Sequence, residues 1–571
     1  MKRNFKSSVS GWSRRKFLTN VGKAGGSLAL YETMVALNMI PLPDEWDGMP
    51  ELPKDSGVGK SVLILGAGIG GLTTAYLLSK YGYRVEILEA TSRAGGRNHT
   101  ARRGDSIVEE SAEHGTTYQE CKFDSGLYLN LGPGRLPYHH RRVLGYCQEL
   151  NVKLEPYIMN STGNLFYSKD GFEGNPKEYK KIKNDTRGYI AELLAKAVNK
   201  GALDEELNEE DKSKLLKLVQ HFGELEVEKK RGKDVYSYNG TTRDGCGKDV
   251  FGAETPNVHY NCDNPETFTL EALLDSNFWE SGFYNPMEFE WQPTLFQPVG
   301  GMDQIVKGFL RAVGNLVTYN APVTNVQVDD DGVTVTYMDG ASEMTKRADY
   351  CVSNIPCSIL KNIENNFEST FKTAVDRTLF ASSCKVGWQT NTRFWESDKY
   401  QIYGGISWTD EIIEQIWYPS NDYFSQKGTL TGAYIHDLEC GTGNASKFGK
   451  MSLQERLQAA KKSGSKLHDE INDEDIVPTE LGLSIAWQNV PNAKGAWAEW
   501  GCEPEDEEDY NRLLLPDRRF YIVGDQVSTL PGWQEGAMMS AEHVVELIAE
   551  LKEAVVPEGV KPPNSFEVTT R

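Results

Sequence analysis

The sequence predicts an α/β fold in which a Rossmann-like, dinucleotide-binding domain carries a second domain built on a mixed sheet and a helical insert. A strand-type apolar run leads into a Gly-x-Gly-x-x-Gly turn and an amphipathic helix near residue 66. Further strand and turn segments follow in the middle and at the end of the chain, while residues 187–200 and 210–225 show helical periodicity. At 571 residues the chain is long enough for two or three domains.

The stretch SVLILGAGIGGLTTAYLLSKYGYRVEILEA has the strand, glycine turn, helix and strand of a dinucleotide-binding unit. Gly66 makes the tight turn, Gly68 lets the backbone approach a pyrophosphate, and Gly71 packs the helix on the strand. The N-terminus of that helix then faces the phosphate charge. Glu89 ends the second strand about 20 residues beyond the motif, where a ribose-binding carboxylate is expected. The complete unit, more than its glycines alone, predicts a dinucleotide cofactor.

The segment EATSRAGGRNHT, which follows directly, distinguishes between FAD and NAD. Arg93, Gly95, Gly96 and Arg97 match the pattern E-x-x-x-R-x-G-G-R, and in this the sequence resembles flavin-dependent amine oxidases. The resemblance implies FAD as the cofactor, held by a Rossmann-like domain of the GR2 type. It also implies that Arg93, Gly96 and Arg97 bind the cofactor, with Arg97 and the adjoining glycine backbone against the flavin and its pyrophosphate.

Two later segments extend the resemblance. In RFYIVGDQVSTLPGWQEGAMMSAEHVVELI, the family implies that Gly524 and Asp525 contact the ribityl chain, although many relatives have glutamate in place of Asp525. It also implies that a helix beginning near Gly536 points its N-terminus at the flavin pyrimidine ring, where reduced flavin carries negative charge. Val323 falls where relatives contact the adenine through their backbone; an ordinary strand valine is the alternative.

Arg135 lies in NLGPGRLP, among two glycines and two prolines that can fix the backbone in one shape. A surface turn with a solvated arginine is one interpretation. However, LGPGRLPYHHRRVLGYCQELNVKLEPY resembles the L-amino acid oxidase branch, whose loop arginine binds the substrate carboxylate. A planar guanidinium can form two parallel charge-assisted bonds to a carboxylate. Gly134 replaces a methionine of the relatives, and both Gly134 and Arg135 are expected to border the cofactor as well.

Three further positions complete the site that the resemblance implies. Lys385, in SSCKVGWQTNTRFWE, matches the lysine that holds a water against flavin N5. Tyr418, in QIWYPSN, is the candidate for a second bond to the carboxylate. Trp533, in PGWQEG, matches an aromatic wall beside the substrate α-carbon, with a role in both binding and catalysis. Glu535 either contacts the amino group or caps its own helix.

Composition excludes some classes of function. The net charge of −21 disfavours a nucleic-acid partner and mildly favours the approach of cationic small molecules, although a solvated acidic surface is the more common explanation. Nine scattered cysteines without a CxxC pair do not predict a disulfide framework or a zinc cluster, although Cys246 and Cys262 could pair in an oxidising compartment. His114, His139 and His140 have no metal-like spacing, and hydride removal needs no histidine. We therefore expect no metal, and histidines that are structural or exposed.

The first thirty residues carry seven Lys or Arg and no acid. Within them SRRKFLTN resembles a twin-arginine signal, which implies export of the folded, cofactor-loaded protein by the twin-arginine translocase into the periplasm or the medium. A basic amphipathic helix is the alternative. No apolar run of about 18 residues follows in the body of the chain, so no membrane-spanning helix is expected there.

The distribution of these motifs predicts a discontinuous domain organisation. The predicted parts are the signal and linker (1–45), the FAD-binding domain (58–110, 295–380 and 495–555), the substrate-binding domain (111–165 and 381–494), the helical insert (166–294) and a flexible tail (556–571).

The resulting hypothesis is FAD-dependent oxidative deamination of an L-amino acid. The neutral amine loses hydride to flavin N5, the imino acid hydrolyses to a 2-oxo acid and ammonia, and molecular oxygen is reduced to hydrogen peroxide. The alternatives are a primary amine or polyamine oxidase, an amino-acid 2-monooxygenase, a flavin dehydrogenase and a flavoprotein without catalytic activity. The preferred side chain (basic, apolar or aromatic) stays open, as does a homodimeric assembly.

Overall fold

A five-stranded parallel sheet forms the centre of the nucleotide-binding region. The computed structural model describes residues 46–245, 266–437, 440–557 and 560–563, and every element below belongs to the unit formed by residues 50–571. In spatial order the strands are Val317–Thr318, Arg84–Leu88, Ser61–Leu65, Tyr350–Ser353 and Phe520–Ile522. All five residues of Ser61–Leu65 are buried, because helices and other strands cover both faces of a central parallel strand.

Helices flank this sheet and the second one. The helix Ile69–Ser79, which follows the glycine turn, packs against Gln534–Ile548 and Gln304–Val313. The other helices are Arg141–Glu149, Tyr179–Asn199, Glu209–Gly223, Leu270–Asp275, Cys357–Leu360, Ser369–Arg377, Asn444–Gly449, Leu453–Gly464 and Asp506–Leu513. Among the described residues, no helix combines the length and the apolar character that crossing a membrane requires.

A seven-stranded mixed sheet confirms the second predicted layer of the fold. In spatial order its strands are Lys177–Glu178, Leu165–Tyr167, Ile406–Thr409, Gln415–Trp417, Gly428–His436, Ser383–Thr390 and Gly482–Ala486. The pair Leu165–Tyr167 and Ile406–Thr409 is parallel, whereas the other neighbours are antiparallel. All eight residues of Ser383–Thr390, which lies next to the edge strand Gly482–Ala486, are buried, so other elements cover both faces of this strand.

Smaller sheets complete the architecture. A four-stranded sheet contains Ser342–Ala348, Val333–Asp339, Val323–Val328 and Glu364–Asn365, and a three-stranded sheet contains Leu136–Pro137, Leu295–Pro298 and Leu154–Tyr157. The two-stranded pairs are Thr100–Ala101 with Leu129–Asn130, Ser106–Ser111 with Gly115–Glu120, Glu226–Lys230 with Lys233–Ser237, and Leu379–Phe380 with Ala498–Glu499.

Two details differ from the predicted domain boundaries. Leu295–Pro298, expected at the start of the second FAD-binding segment, pairs instead with Leu136–Pro137 and thereby holds the loop of Arg135 in place. In the predicted flexible tail, Val560 packs against the core of the nucleotide-binding region, and its carbonyl accepts a hydrogen bond from Asn511 Nδ2 at 3.3 Å. The apolar Val560 side chain explains why this part of the tail contacts the core.

The predicted insert does contain the two helices Tyr179–Asn199 and Glu209–Gly223, together with a β-hairpin. The pair Cys246 and Cys262 and the predicted export signal lie outside the described residues. Cys440 and Cys502 form a disulfide that the cysteine spacing did not indicate, since the fold brings together residues 62 positions apart.

Candidate active site

Two cavities meet between the nucleotide-binding region and the seven-stranded sheet. The smaller, of about 300 Å³, follows the glycine turn, and the larger, of about 620 Å³, contains the loop of Arg135. The residues that line both are Gly132, Pro133, Lys385, Tyr434, Trp497, Gly532, Trp533 and Gln534. A ligand in the smaller cavity and one in the larger would therefore meet at this junction, beside Lys385 and Trp533.

The glycine turn is built for close approach of a ligand. Gly66 has φ of 95°, which is accessible mainly to glycine. A Cβ at Gly68 would overlap the side-chain amide of Asn354, and one at Gly71 would overlap the carbonyl oxygen of Gly66. Gly68 therefore leaves the backbone bare towards the cavity, and Gly71 allows the helix to pack on the turn. The fold thus preserves the local geometry that a pyrophosphate requires.

Most of the predicted cofactor residues line the smaller cavity. They are Gly66, Gly68, Glu89, Arg93, Gly96, Arg97, Val323 and Asp525. Gly71, Gly524 and Gly536 do not line it: a Cβ at Gly524 would lie 3.0 Å from Asn354 Oδ1, and one at Gly536 would overlap the carbonyl of Leu530. These three glycines serve packing. Gly134 and Arg135, also predicted beside the cofactor, instead line the larger cavity, because strand pairing after Arg135 turns their loop to that side.

The charged side chains that line the smaller cavity have partners within the protein. Glu89 accepts hydrogen bonds from the backbone N–H of Ala67 at 2.8 Å and of Thr91 at 2.9 Å. Arg97 and Asp525 form a salt bridge, and Asp525 also accepts the backbone N–H of Gly532 at 2.9 Å. These contacts fix both carboxylates along the groove. The glycine cradle, the basic side chains and the acid at the end of the second strand together fit a flavin dinucleotide.

Arg135 is buried in a cage of tryptophans. Only 7 % of the residue is exposed to solvent. Its guanidinium carbon lies 3.7 Å from the ring centre of Trp291, 5.1 Å from that of Trp533 and 5.4 Å from that of Trp417. Its Nε has no hydrogen-bond partner, and no acidic side chain in the described part of the chain forms an ion pair with it. Burial lowers the pKa of Arg135. Because a buried, unpaired cation is costly, the site is suited to an anionic ligand.

The glycine before the arginine is also explained by this cage. A Cβ at Gly134 would lie 2.5 Å from Cζ3 of Trp417. The methionine that relatives carry could not occupy this position beside Trp417. The ring of Trp417 thus occupies the space that a side chain at position 134 would need.

Lys385 lies at the junction of the two cavities, opposite Tyr434 on the neighbouring strand. Its Nζ donates to the carbonyl oxygens of Gly132 and, at 3.3 Å, of Asn130. Burial, together with the nearby charge of Arg135, lowers the pKa of Lys385 to about 7. The amine can therefore be neutral near physiological pH, with a lone pair able to accept a hydrogen bond from water.

Tyr418 does not belong to the site, and the prediction for this residue is wrong. Its hydroxyl bonds to Ser407 Oγ at 2.7 Å and to His468 Nε2 at 2.5 Å, inside the core of the seven-stranded sheet. Side chains alternate along a strand, so Trp417 faces the cavity and Tyr418 the core. The tyrosine that does line both cavities is Tyr434, which sequence reasoning missed although Lys385, its cross-strand partner, was identified.

Glu535 has neither of its two predicted roles. Its carboxylate accepts the backbone N–H groups of Arg142 at 3.1 Å and Val143 at 2.8 Å. It therefore caps the neighbouring helix Arg141–Glu149, and it also pairs with the Arg142 side chain. This contact joins the helix at the junction to the helix that follows the Arg135 loop.

The histidines differ in their surroundings. His114 is exposed, as expected. His139 and His140 share Glu290, with Nε2–Oε2 distances of 3.0 and 2.6 Å, although their sequence spacing did not indicate a cluster. Burial alone would raise the pKa of Glu290, but these hydrogen bonds hold it at about 2. His140 is buried, lines the larger cavity and contacts Trp533 edge-on at 4.9 Å, so it supports the tryptophan cage.

Known proteins resemble this chain over most of its length. Residues 69–549 match the family described as flavin containing amine oxidoreductase. A flavin-dependent L-tryptophan oxidase from Lentzea aerocolonigenes is 26% identical over 503 residues, which cover 86% of this chain and 98% of that protein. An L-amino-acid oxidase from Echis ocellatus is 25% identical over 504 residues, covering 84% and 87%.

Solved structures show the same fold. A putrescine oxidase structure superposes with a TM-score of 0.55 at 18% identity, and a cyclohexylamine oxidase from Brevibacterium oxydans with 0.51 at 17%; each comparison covers 86% of this chain and 99% of the other. The family match covers the lining of the larger cavity and, apart from Gly66 and Gly68, that of the smaller one, and the cofactor is FAD. The chain therefore belongs to the flavin-containing amine oxidoreductase family.

Proposed function

We propose that this flavin-dependent oxidoreductase deaminates an L-amino acid oxidatively, with Arg135 as the ligand of the substrate carboxylate. One observation carries the proposal: a buried guanidinium lines the larger cavity, and its Nε has no partner. A simple amine offers no group for this cation. The α-carboxylate of an amino acid would accept two parallel hydrogen bonds from it and compensate its charge.

The chain's own groups would orient the substrate and exclude water. Arg135 anchors the carboxylate, and Trp533 and Trp417 form walls that limit how the α-carbon can turn. Neutral Lys385 holds a water or the amine by hydrogen bonding at the junction. FAD, when bound, accepts the hydride from the α-carbon. Most of the rate enhancement required of the protein is then positioning of the α-hydrogen.

The products follow from this chemistry. Loss of a hydride from the neutral amine gives the protonated imino acid, which releases a second proton, and water converts the imino acid to a 2-oxo acid and ammonia. Molecular oxygen then takes the two electrons and two protons to become hydrogen peroxide. The two amino acid oxidases above support this assignment, but at 25–26% identity they do not define the side chain.

The test is anaerobic bleaching of the flavin with the twenty amino acids and their decarboxylated amines, followed by product analysis in air. We expect bleaching by amino acids, with one ammonia and one peroxide formed per turnover. Equal bleaching by a decarboxylated amine would instead identify an amine oxidase. An amide product without ammonia would identify a monooxygenase, negligible peroxide a dehydrogenase, and no bleaching at all a flavoprotein without this activity.

We also propose that the protein is exported through the twin-arginine pathway. The acid-free start of the sequence with Arg14 and Arg15 supports this, as does the Cys440–Cys502 disulfide, because such bonds persist mainly in oxidising compartments. Cell fractionation should find the protein outside the cytoplasm. Replacing both arginines by lysine should keep it in the cytoplasm. Export that is unaffected by this double replacement would contradict the proposal.

A further inference from the structure

The larger cavity carries far more negative than positive charge. Its lining includes two cationic side chains, Arg135 and Lys385, and six acidic ones. We call the six together the acidic wall: Asp170, Glu280, Asp410, Glu411, Glu414 and Asp437. They come from the insert, from the hairpin that precedes Gln415–Trp417, and from the end of the strand Gly428–His436.

The acidic wall lacks a cationic partner among the residues that the structure describes. Within the described ranges, none of its six members forms an ion pair with a lysine or arginine. The hydrogen bonds that they accept come from uncharged donors: Asp410 from Ser168 Oγ and the backbone of Lys169, and Asp437 from the first turn of the helix Asn444–Gly449. In the described part of the chain, neither this wall nor Arg135 has an ion-pair partner. The members of the wall differ in exposure: Asp437 is buried and Glu411 and Glu414 are partly buried, whereas Asp170, Glu280 and Asp410 are exposed to solvent.

Glu414 is the member of the wall whose surroundings are most restrictive. It lies in the hairpin turn before Gln415–Trp417 with φ of 60°, a conformation that is unfavourable for a residue with a side chain. Its carboxylate accepts a hydrogen bond from Asn444 Nδ2 at 3.1 Å and one from the backbone N–H of His436. Burial raises the pKa of Glu414 to about 7. A cationic ligand beside this carboxylate would offset the cost of its burial.

One strand, Gly428–His436, connects the surroundings of Arg135 with those of Glu414. Tyr434 lies at the junction, and His436, which contacts Glu414, is two residues further along the same face, or about 7 Å at the usual rise of a strand. Burial raises the pKa of Tyr434, Arg135 opposes this shift and Glu414 adds to it, so both charges act on this one hydroxyl. The cavity therefore places a cation and a carboxylate near the same hydroxyl, and it suits a molecule with an anion at one end and a cation at the other.

Aromatic rings line the path between the two charges. Trp417 faces the cavity on the strand next to Tyr434, and Trp408 faces it from the neighbouring strand Ile406–Thr409. Indole rings pack well against a methylene chain, and their faces also attract cations. A wall of acids and tryptophans is thus complementary to a cationic side chain with an apolar stem.

We propose that the amino acid accepted here has a cationic side chain, of the lysine, ornithine or arginine class, and that Glu414 within the acidic wall binds its charged end. This inference rests on the proposed function. It is supported independently by Arg135, a buried side chain that points into the same cavity and lacks a partner for its Nε. Glu414 then determines specificity, while Arg135 anchors the group that every amino acid shares.

The test compares L-lysine with L-norleucine, whose side chain has the same four-carbon stem without the ammonium group. We expect kcat/KM to favour lysine by about tenfold or more, and Glu414→Gln to lower this lysine-to-norleucine ratio by about tenfold or more, the scale for truncating one partner of a buried charge pair. Glu178→Gln is the matched control: Glu178 is a partly buried acid in the edge strand Lys177–Glu178 and does not line either cavity. It should leave the ratio unchanged.

The outcomes separate the two proposals. Norleucine, leucine or tryptophan oxidised better than lysine would overturn the cationic preference and leave amino acid oxidation intact. A ratio that Glu414→Gln does not change would overturn the role of Glu414. Cadaverine, the decarboxylated form of lysine, oxidised as well as lysine would contradict the proposed function itself. The comparison of lysine with norleucine needs no variant, so it holds even if Glu414→Gln fails to fold.

Discussion

The two cavities differ in how they treat charge. In the cofactor groove the charged groups satisfy one another: Arg97 pairs with Asp525, and backbone N–H groups hold Glu89. In the larger cavity Arg135 and the acidic wall face open space without ion-pair partners among the described residues. The shape of the groove thus depends mainly on backbone geometry, and its charged groups have partners within the protein. The charges that line the larger cavity are neutralised only when a ligand of matching charge is present.

The largest expected effect concerns the cofactor groove, whose shape depends on backbone geometry at the glycine turn. Gly71→Ala forces a methyl group onto the carbonyl oxygen of Gly66, which cannot move without breaking the turn. We expect destabilisation by about 3 kcal/mol and loss of FAD, measured by thermal unfolding and by flavin content. Gly314→Ala is the control, since its Cβ would meet only Leu310 at 3.5 Å. A Gly71→Ala protein with full flavin would show that the groove tolerates bulk.

Removing the guanidinium of Arg135 from the larger cavity should have the next largest effect. Arg135→Met should lower kcat/KM for amino acids by about two to three orders of magnitude, the scale of a lost buried charge pair, with flavin content unchanged. Activity on decarboxylated amines should not fall. Arg347→Met, at an exposed arginine paired with Asp329, should behave as the parent. Unchanged amino acid oxidation by Arg135→Met would exclude Arg135 as the carboxylate ligand.

The protonation state of Lys385, at the junction of the two cavities, predicts how kcat depends on pH. Because its pKa is lowered to about 7, the amine is neutral above that pH and charged below it. If the neutral form is required, kcat for an amino acid with an uncharged side chain should fall about tenfold per unit as pH decreases below 7. Lys385→Met should lower kcat about a hundredfold and abolish this acidic limb. An acidic limb that persists in the variant would assign it to another group.

The smallest effects distinguish the two tyrosines. Tyr434→Phe removes a hydroxyl at the junction and should lower kcat/KM about three- to tenfold without destabilising the fold. Tyr418→Phe leaves Ser407 and His468 without their shared partner and should cost about 1–2 kcal/mol of stability, with kcat/KM within about twofold of the parent. Steady-state kinetics and urea unfolding measure both. The reverse pattern would return Tyr418 to the site.

What could be predicted from sequence follows the same division between the two cavities. The groove depends on contiguous residues, so the spacing of Gly66, Gly68 and Gly71 already contains its geometry. The larger cavity depends on strand phase and long-range pairing. A shift of one residue separates Trp417 from Tyr418, and pattern alone did not determine which of them faces the cavity. Trp291, which stacks on Arg135, comes from the insert and is placed only by tertiary packing.

The resemblance located Arg135 and Lys385 because loop and strand motifs surround them, but it could not show that Arg135 lacks a partner. Tyr434 had a detectable signal: it is one of the alternating residues of Gly428–His436, a strand that pairs with the strand of Lys385. The acidic wall had none, since its members are scattered from Asp170 to Asp437. Acidic residues this far apart in the sequence form one surface only in the folded protein, so no sequence pattern indicates them.

The buried carboxylate of Glu535 has a consequence for how this scaffold can diversify. By capping Arg141–Glu149 from the first turn of Gln534–Ile548, it connects the helix that follows the Arg135 loop to the helix that begins at the junction of the two cavities. A shift of either helix relative to the other would break these hydrogen bonds. Substitutions on the opposite side, in the seven-stranded sheet and the insert, can therefore change the lining of the larger cavity without disturbing this contact.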